Sequence, residues 1–107
     1  MTSSVGSGSL TTSVGSEHEL ASLSSAGVFV LAVDVNAMVN GDRVELRVYG
    51  KARTTDTERL THVSVFEHAQ ARLLKQTEPY ITDGYARFTL KQSSGSSHAF
   101  PWNVLQA

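Results

Sequence analysis

Four histidines and ten acidic residues are the groups from which this chain would have to build a metal site or an acid–base centre. On a strand, neighbouring ligands must share a face, which requires a spacing of two residues. The histidines never show it. His62 and His68 lie six residues apart, so a straight strand holds them roughly 20 Å from each other, too far to share one ion. In Glu17-His18-Glu19 the two carboxylates share a face and His18 opposes them. These residues read as surface or interface polar groups rather than as a metal centre.

Nucleophilic chemistry fares no better. Cysteine is absent, which removes thiolate catalysis, Cys-based zinc sites and disulfides together. Serine is abundant, but no G-x-S-x-G elbow presents one in a strand–turn–helix setting. Gly6-Ser7-Gly8 and Gly95 lie outside both phosphate-loop frames, with no helix signal after them. Tyr49, Tyr80, Tyr85 and Trp102 could stack a sugar or a base. Trp102, however, alternates with Phe100 and Val104 and so reads as core. Tyr49, between Arg47 and Lys51 on a charged strand face, is the best candidate for an exposed protein contact. The expectation is a non-enzymatic chain with no cofactor and no metal.

The elements that would carry these residues are strands. Val28–Val35 is short, almost continuously apolar and rich in β-branched residues, as a central strand covered on both faces would be. Asn36–Asp42 leaves room for a short turn of helix and ends in the Asn40-Gly41 pair, which supplies the positive φ of a tight turn. Arg43–Lys51 alternates, with Val44, Leu46 and Val48 on one face and Arg43, Glu45, Arg47, Tyr49 and Lys51 on the other. Leu60–His68 places Thr61, Val63 and Val65 together. Ala69–Lys75 is an irregular connection or a short strand. Asp83-Gly84 is a turn, Tyr85–Gln92 has Ala86, Phe88 and Leu90 inward, and Ser93–Ser97 is a loop. Ala99–Leu105 reads as an edge strand because Pro101 lacks an N–H. With Glu17–Leu23 added, six to eight strands and no convincing helix predict an antiparallel β-sandwich or barrel.

Ahead of this domain, residues 1–16 are dominated by Ser, Thr and Gly, with Val5, Leu10 and Val14 as apolar points. They read either as a flexible tail or, the reading adopted, as an extended N-terminal arm that orders against a neighbouring subunit, and residues 17–107 as the β-domain. The expected interface is therefore Val5, Leu10 and Val14 on the arm with Arg47, Tyr49 and Lys51 on the domain. Nine basic against ten acidic residues give none of the basic excess that phosphate-backbone binders need. That near-neutral balance offers little colloidal repulsion and suits association. No signal peptide is visible in the first residues, and no apolar run approaches the roughly 18 residues of a membrane span.

The succession Val28–Val35, then Asn40-Gly41-Asp42-Arg43-Val44-Glu45-Leu46-Arg47-Val48, then Leu90-Lys91-Gln92, closing on Phe100-Pro101-Trp102-Asn103-Val104-Leu105, resembles small virion proteins of tailed bacteriophages. The resemblance spans roughly residues 17 to 105 and is most specific at its TLKQ and FPW-x-VL end. It implies a jelly-roll-like or related β-sandwich acting as a capsid cement or decoration protein. Such a protein binds the outside of the shell, often as a homo-oligomer, with the major capsid protein and its own copies as partners. It would be found in the virion after assembly in the host cytoplasm. No catalytic or binding residue carries over. A tail, neck or fibre-associated component and a carbohydrate-binding β-module are the alternatives.

Overall fold

The computed structural model describes residues 3–107. Nine strands follow in chain order: β1 (Ser3–Thr11), β2 (Glu17–Leu23), β3 (Gly27–Asp34), β4 (Arg43–Gly50), β5 (Arg59–Glu67), β6 (Leu74–Gln76), β7 (Tyr80–Thr82), β8 (Ala86–Ser94) and β9 (Ala99–Gln106). Helix is absent among the described residues, so none is long and apolar enough to cross a membrane.

Two antiparallel sheets form a β-sandwich. The first runs β1-β9-β3-β6, with β7 pairing the other half of the same β3 edge; the second runs β2-β8-β4-β5. Strands β6 and β7 are two halves of one strand interrupted around Glu78-Pro79. Between them, Thr77 N–H donates to the Leu31 carbonyl (2.9 Å) and the Thr77 hydroxyl accepts from Leu31 N–H (3.0 Å). The pairings nest: β4 with β5, β3 with β6 and β7, β2 with β8, β1 with β9. The chain is thus one long hairpin rolled on itself, which adds the β9–β3 and β8–β4 contacts.

Alternation decides the core. Phe29, Leu31, Val33 and Val35 of β3 and its end face inward against Val44, Leu46 and Val48 of β4, with Ala86, Phe88, Leu90, Phe100 and Val104 completing the cluster, all without solvent exposure. Burying a side chain of this size contributes about 1.5–3 kcal/mol, which makes these positions the main source of stability. The sequence places Val28–Val35 as a central strand, and β3 does lie between β9 and β6/β7. Its outer residues Val28 and Val30 are only half-buried, however, rather than covered on that face.

Three expectations are corrected. Residues 3–11 are no free arm: they form β1, registered on β9 from Ser3–Gln106 to Thr11–Ala99 with a bulge at Val5. Strand β9 is not at an edge but between β1 and β3. Pro101 is tolerated there because the β3 ladder runs only from Phe29–Gln106 to Val33–Trp102, leaving Pro101 just beyond it. In β5 Val63 and Val65 share a face, as their alternation requires; it is the solvent side, across from Arg47 and Glu45, while His62, Ser64 and Phe66 turn inward. The strand is at an edge, where the sandwich opens and Lys75 Nζ sits 5.0 Å over the Phe66 ring. Finally, Asn36–Gly41 makes turns without helix; Gly41 adopts φ +99°, as an Asn-Gly turn requires.

Candidate interaction surfaces

The two outer faces differ in chemistry. On the second sheet, β4 presents Arg43, Glu45, Arg47 and Tyr49, β8 presents Arg87, Thr89 and Lys91, and β2 presents Glu17 and Glu19, as their register requires. Arg47 bridges Glu17 (2.8 Å) and Glu45 (2.9 Å), and Arg43 reaches Glu45 (2.7 Å) and Glu67 (3.3 Å). The Tyr49 and Thr89 hydroxyls donate to Glu17 at 2.6 and 2.7 Å. Arg87 makes a two-pronged contact with Glu58 (2.9 and 2.8 Å), to which the Tyr85 hydroxyl also donates. The Arg87 guanidinium lies 4.3 Å over the Tyr49 ring and the Lys51 ammonium 4.3 Å over Tyr85.

These contacts set the charge states. Burial works to raise the Glu17 carboxyl, but the Tyr49 and Thr89 hydrogen bonds with Arg47 and Arg87 outweigh it and hold it below the usual glutamate range. The Arg47 hydrogen bond lowers Glu45, and the Arg87 hydrogen bond lowers Glu58. The same bond to Glu58 raises the Tyr85 phenol. Arg43, Arg47 and Arg87 are therefore each engaged by carboxylates of their own chain, and the face offers no concentrated free positive charge to an anionic partner.

Arg47, Tyr49 and Lys51, expected as interface residues, are thus brought together, but their polar groups are turned onto their own sheet. Lys51 also borders a groove of about 320 Å³ with Gly50, Arg59, Leu60 and Tyr80. The three apolar points of residues 1–16 are separated. Val5 occupies the β1 bulge and is 37% exposed, Leu10 packs against the core, and Val14 stands exposed in the β1–β2 turn.

The outer face of the first sheet carries Ser7, Ser9 and Thr11 of β1, Pro101, Asn103 and Leu105 of β9, Val28, Val30, Ala32 and Asp34 of β3, with Leu74, Gln76 and Ile81 beyond. Asp34 is the single charge in these strand rows. Ile81 is 76% and Leu74 61% exposed, and an open groove of about 300 Å³ runs between Leu74, Ala32, Pro101 and Leu105. Trp102 does not offer a stacking platform here. It points inward, where a Cβ on Gly8 would stand 3.4 Å from its Nε1 and one on Gly6 3.6 Å from its Cζ3, so the indole lies over two glycines.

Polar groups also meet at one end of the sandwich. Asp42, 1% exposed, accepts from Val39 N–H (2.9 Å), Ser96 N–H (3.2 Å) and Gln92 Nε2 (3.4 Å); Thr12 donates to Gln92 Oε1 at 2.5 Å. His98 Nε2 approaches Asp42 Oδ2 to 2.8 Å, off the line of a hydrogen bond. Beside this pair the Ser94 and Ser97 hydroxyls donate to the carbonyls of Gly41 and Thr12. The cluster clamps three loops. Of the other histidines, His18 accepts from Ser13 N–H and His62 lies beside Ser64, while His68 adjoins the cluster, its backbone N–H donating to the Asp42 carbonyl (2.8 Å) and its ring accepting from Gly41 N–H. Among the described residues no three His, Asp or Glu side chains converge as a metal site.

Sequence reasoning missed Asp42, Gln92, Glu58 and Arg87 as organising residues. The alternation of β8 could have placed Arg87 on the charged face; nothing local marks Glu58, which sits in a loop. The chain matches no protein-family model, no curated protein and no solved structure.

Proposed function

We propose that this protein is a non-enzymatic structural component of a tailed-phage virion. In this reading it is a capsid cement or decoration protein that sets the outer face of its first sheet on the shell and turns its charged face to solvent. The observation that carries this reading is the contrast between the faces. A charged lattice whose ion pairs close within the chain is suited to water, whereas a nearly uncharged surface with exposed Ile81 and Leu74 is suited to burial against another protein. We read the nested strand order as a jelly-roll winding, a wrap found in viral capsid and lectin domains; that analogy supports the class and not the location. Because residues 3–11 belong to β1, the shell contact is assigned to the face rather than to a free arm. Capture of a sugar by Trp102 is disfavoured by the glycines that cover its ring.

Quantitative mass spectrometry of purified particles tests the reading. A decoration protein is expected at on the order of hundreds of copies per particle, and about six or twelve copies would indicate a neck or tail ring instead. Particles that lack the chain altogether would overturn the virion assignment.

A further inference from the structure

The four sheet edges are not equally protected. An edge strand exposes unpaired N–H and C=O groups, and proteins guard against unwanted pairing with charge, proline, bulges or brevity. Strand β2 carries Glu17 and Glu19 and a bulge before Ala21. Strand β5 begins at Arg59 and ends at Glu67. The β6/β7 edge is two three-residue pieces flanking Pro79. Strand β1 is nine residues long and has neither a charge nor a proline, and its bulge at Val5 leaves Gly6–Thr11 regular.

The direction of its free groups follows from one hydrogen bond. Thr12 N–H donates to the His98 carbonyl at 3.0 Å. Backbone groups of an antiparallel strand point alternately to its two sides, so Leu10, Gly8 and Gly6 face β9 opposite Phe100, Trp102 and Val104. Ser7, Ser9 and Thr11 turn their N–H and C=O away from the sheet, and β2 forms no ladder with them.

We propose that β1 pairs antiparallel with β1 of a second copy, about a two-fold axis at Ser9. Ser9 then meets Ser9 of the second copy, and Ser7 meets Thr11 on either side, giving about six main-chain hydrogen bonds. An isologous contact needs a surface that complements itself, and this one does. It sets no like charges opposite one another, and its Ser and Thr side chains lie side by side on the outer face, where such pairs hydrogen-bond. Pairing through β2 would instead gather four carboxylates. The result joins two first sheets into one, doubling the uncharged surface and so the number of contacts one particle of protein makes with a repetitive partner. The inference rests on backbone direction and charge and stands apart from the virion reading.

Sedimentation velocity of the full chain from about 1 μM to about 500 μM should show a monomer–dimer equilibrium. Ser9→Lys, which sets two ammonium groups opposite each other at the axis, and Ser9→Pro, which removes an outward N–H, should each weaken it at least about tenfold. Because the chain has no cysteine, Ser9→Cys supplies a second readout that does not depend on those variants folding. Paired Cα atoms at about 5.5 Å are within disulfide reach, so mild oxidation should link two copies, whereas Ser22→Cys on β2 should stay unlinked. A strict monomer that Ser9→Cys fails to cross-link overturns the proposal. So does a monomer whose Ser9→Pro variant loses shell binding, since β1 would then pair with a strand of the shell. A dimer without shell binding leaves this inference standing and removes the virion reading.

Discussion

Asp42 shows how one buried carboxylate can hold a set of loops. It is almost fully enclosed and accepts from the backbone at Val39 and Ser96 and from the Gln92 amide, with the His98 ring beside it. Replacing it by Ala leaves those donors buried without an acceptor, which should cost about 3 kcal/mol by urea denaturation. A loss under about 0.5 kcal/mol would mean that water reaches the cluster. Gly95 is tied to the same residue. Its φ of +94° disfavours any side chain, and an added Cβ would fall 1.8 Å from Asp42 Oδ1. Gly95→Ala should therefore destabilise by about 2 kcal/mol or more, a loss that the same denaturation measures. Neither residue was legible in the sequence. Asp42 follows an Asn-Gly turn and Gly95 lies in a serine run, and both patterns read as ordinary surface turns, because what encloses Asp42, and sets the exposed Gly95 against it, is the meeting of loops about 50 residues apart. The carboxylates of the charged face make a third case. Glu17, Glu45 and Glu58 titrate below the ordinary glutamate value of 4.5. Their contribution is present above that value and disappears as pH falls through the lowered one. Stability should be flat between about pH 5 and about pH 9 and decline below that window; above it the raised Tyr85 phenol adds a second loss as it ionises. The Glu17→Gln/Glu45→Gln/Glu58→Gln variant should be weaker at neutrality and lose less on acidification. An identical acid slope would contradict the assignment.

Strand β1 is where local sequence and tertiary structure disagree. Ser and Gly, which dominate this stretch, have little strand preference on their own, so residues 1–16 read as an arm; the pairing with β9 supplies what the residues lack. The glycines are informative in retrospect, since Gly6 and Gly8 leave the space that the Trp102 ring occupies. Strand β9 shows the converse, a proline that suggests an edge yet sits inside a sheet because the neighbouring ladder stops short of it. Strands β3, β4 and β8 were readable because their alternation or apolar run reflects burial directly. Deleting residues 1–11 should therefore do more than free a tail. It removes Leu10 from the core and uncovers the chain's one tryptophan, so the emission of Trp102 should move to longer wavelength and the unfolding midpoint should fall. A truncated chain with unchanged emission and midpoint would restore the arm reading.

For the molecule as a whole, folding brings together what the sequence keeps apart. Alternation separates Arg43, Glu45, Arg47 and Tyr49 from the core side of β4, and that much was visible. The partners Glu17, Glu58 and Arg87 come from β2, from the β4–β5 connection and from β8, and only the rolled hairpin sets them around Arg47 and Tyr49. The uncharged face arises in the same way, from alternate residues of β1, β9, β3, β6 and β7. Each is unremarkable alone; together they leave one side of the sandwich almost without charge. In the proposed function this side is the one that docks on the shell. The most direct measurement is co-sedimentation of the full chain with shells that lack it, comparing Ile81→Lys and Leu105→Lys with Lys91→Glu on the opposite face. Each lysine on the first sheet should weaken binding by about tenfold or more while Lys91→Glu leaves it unchanged. Binding that survives both lysines and fails with Lys91→Glu would contradict it.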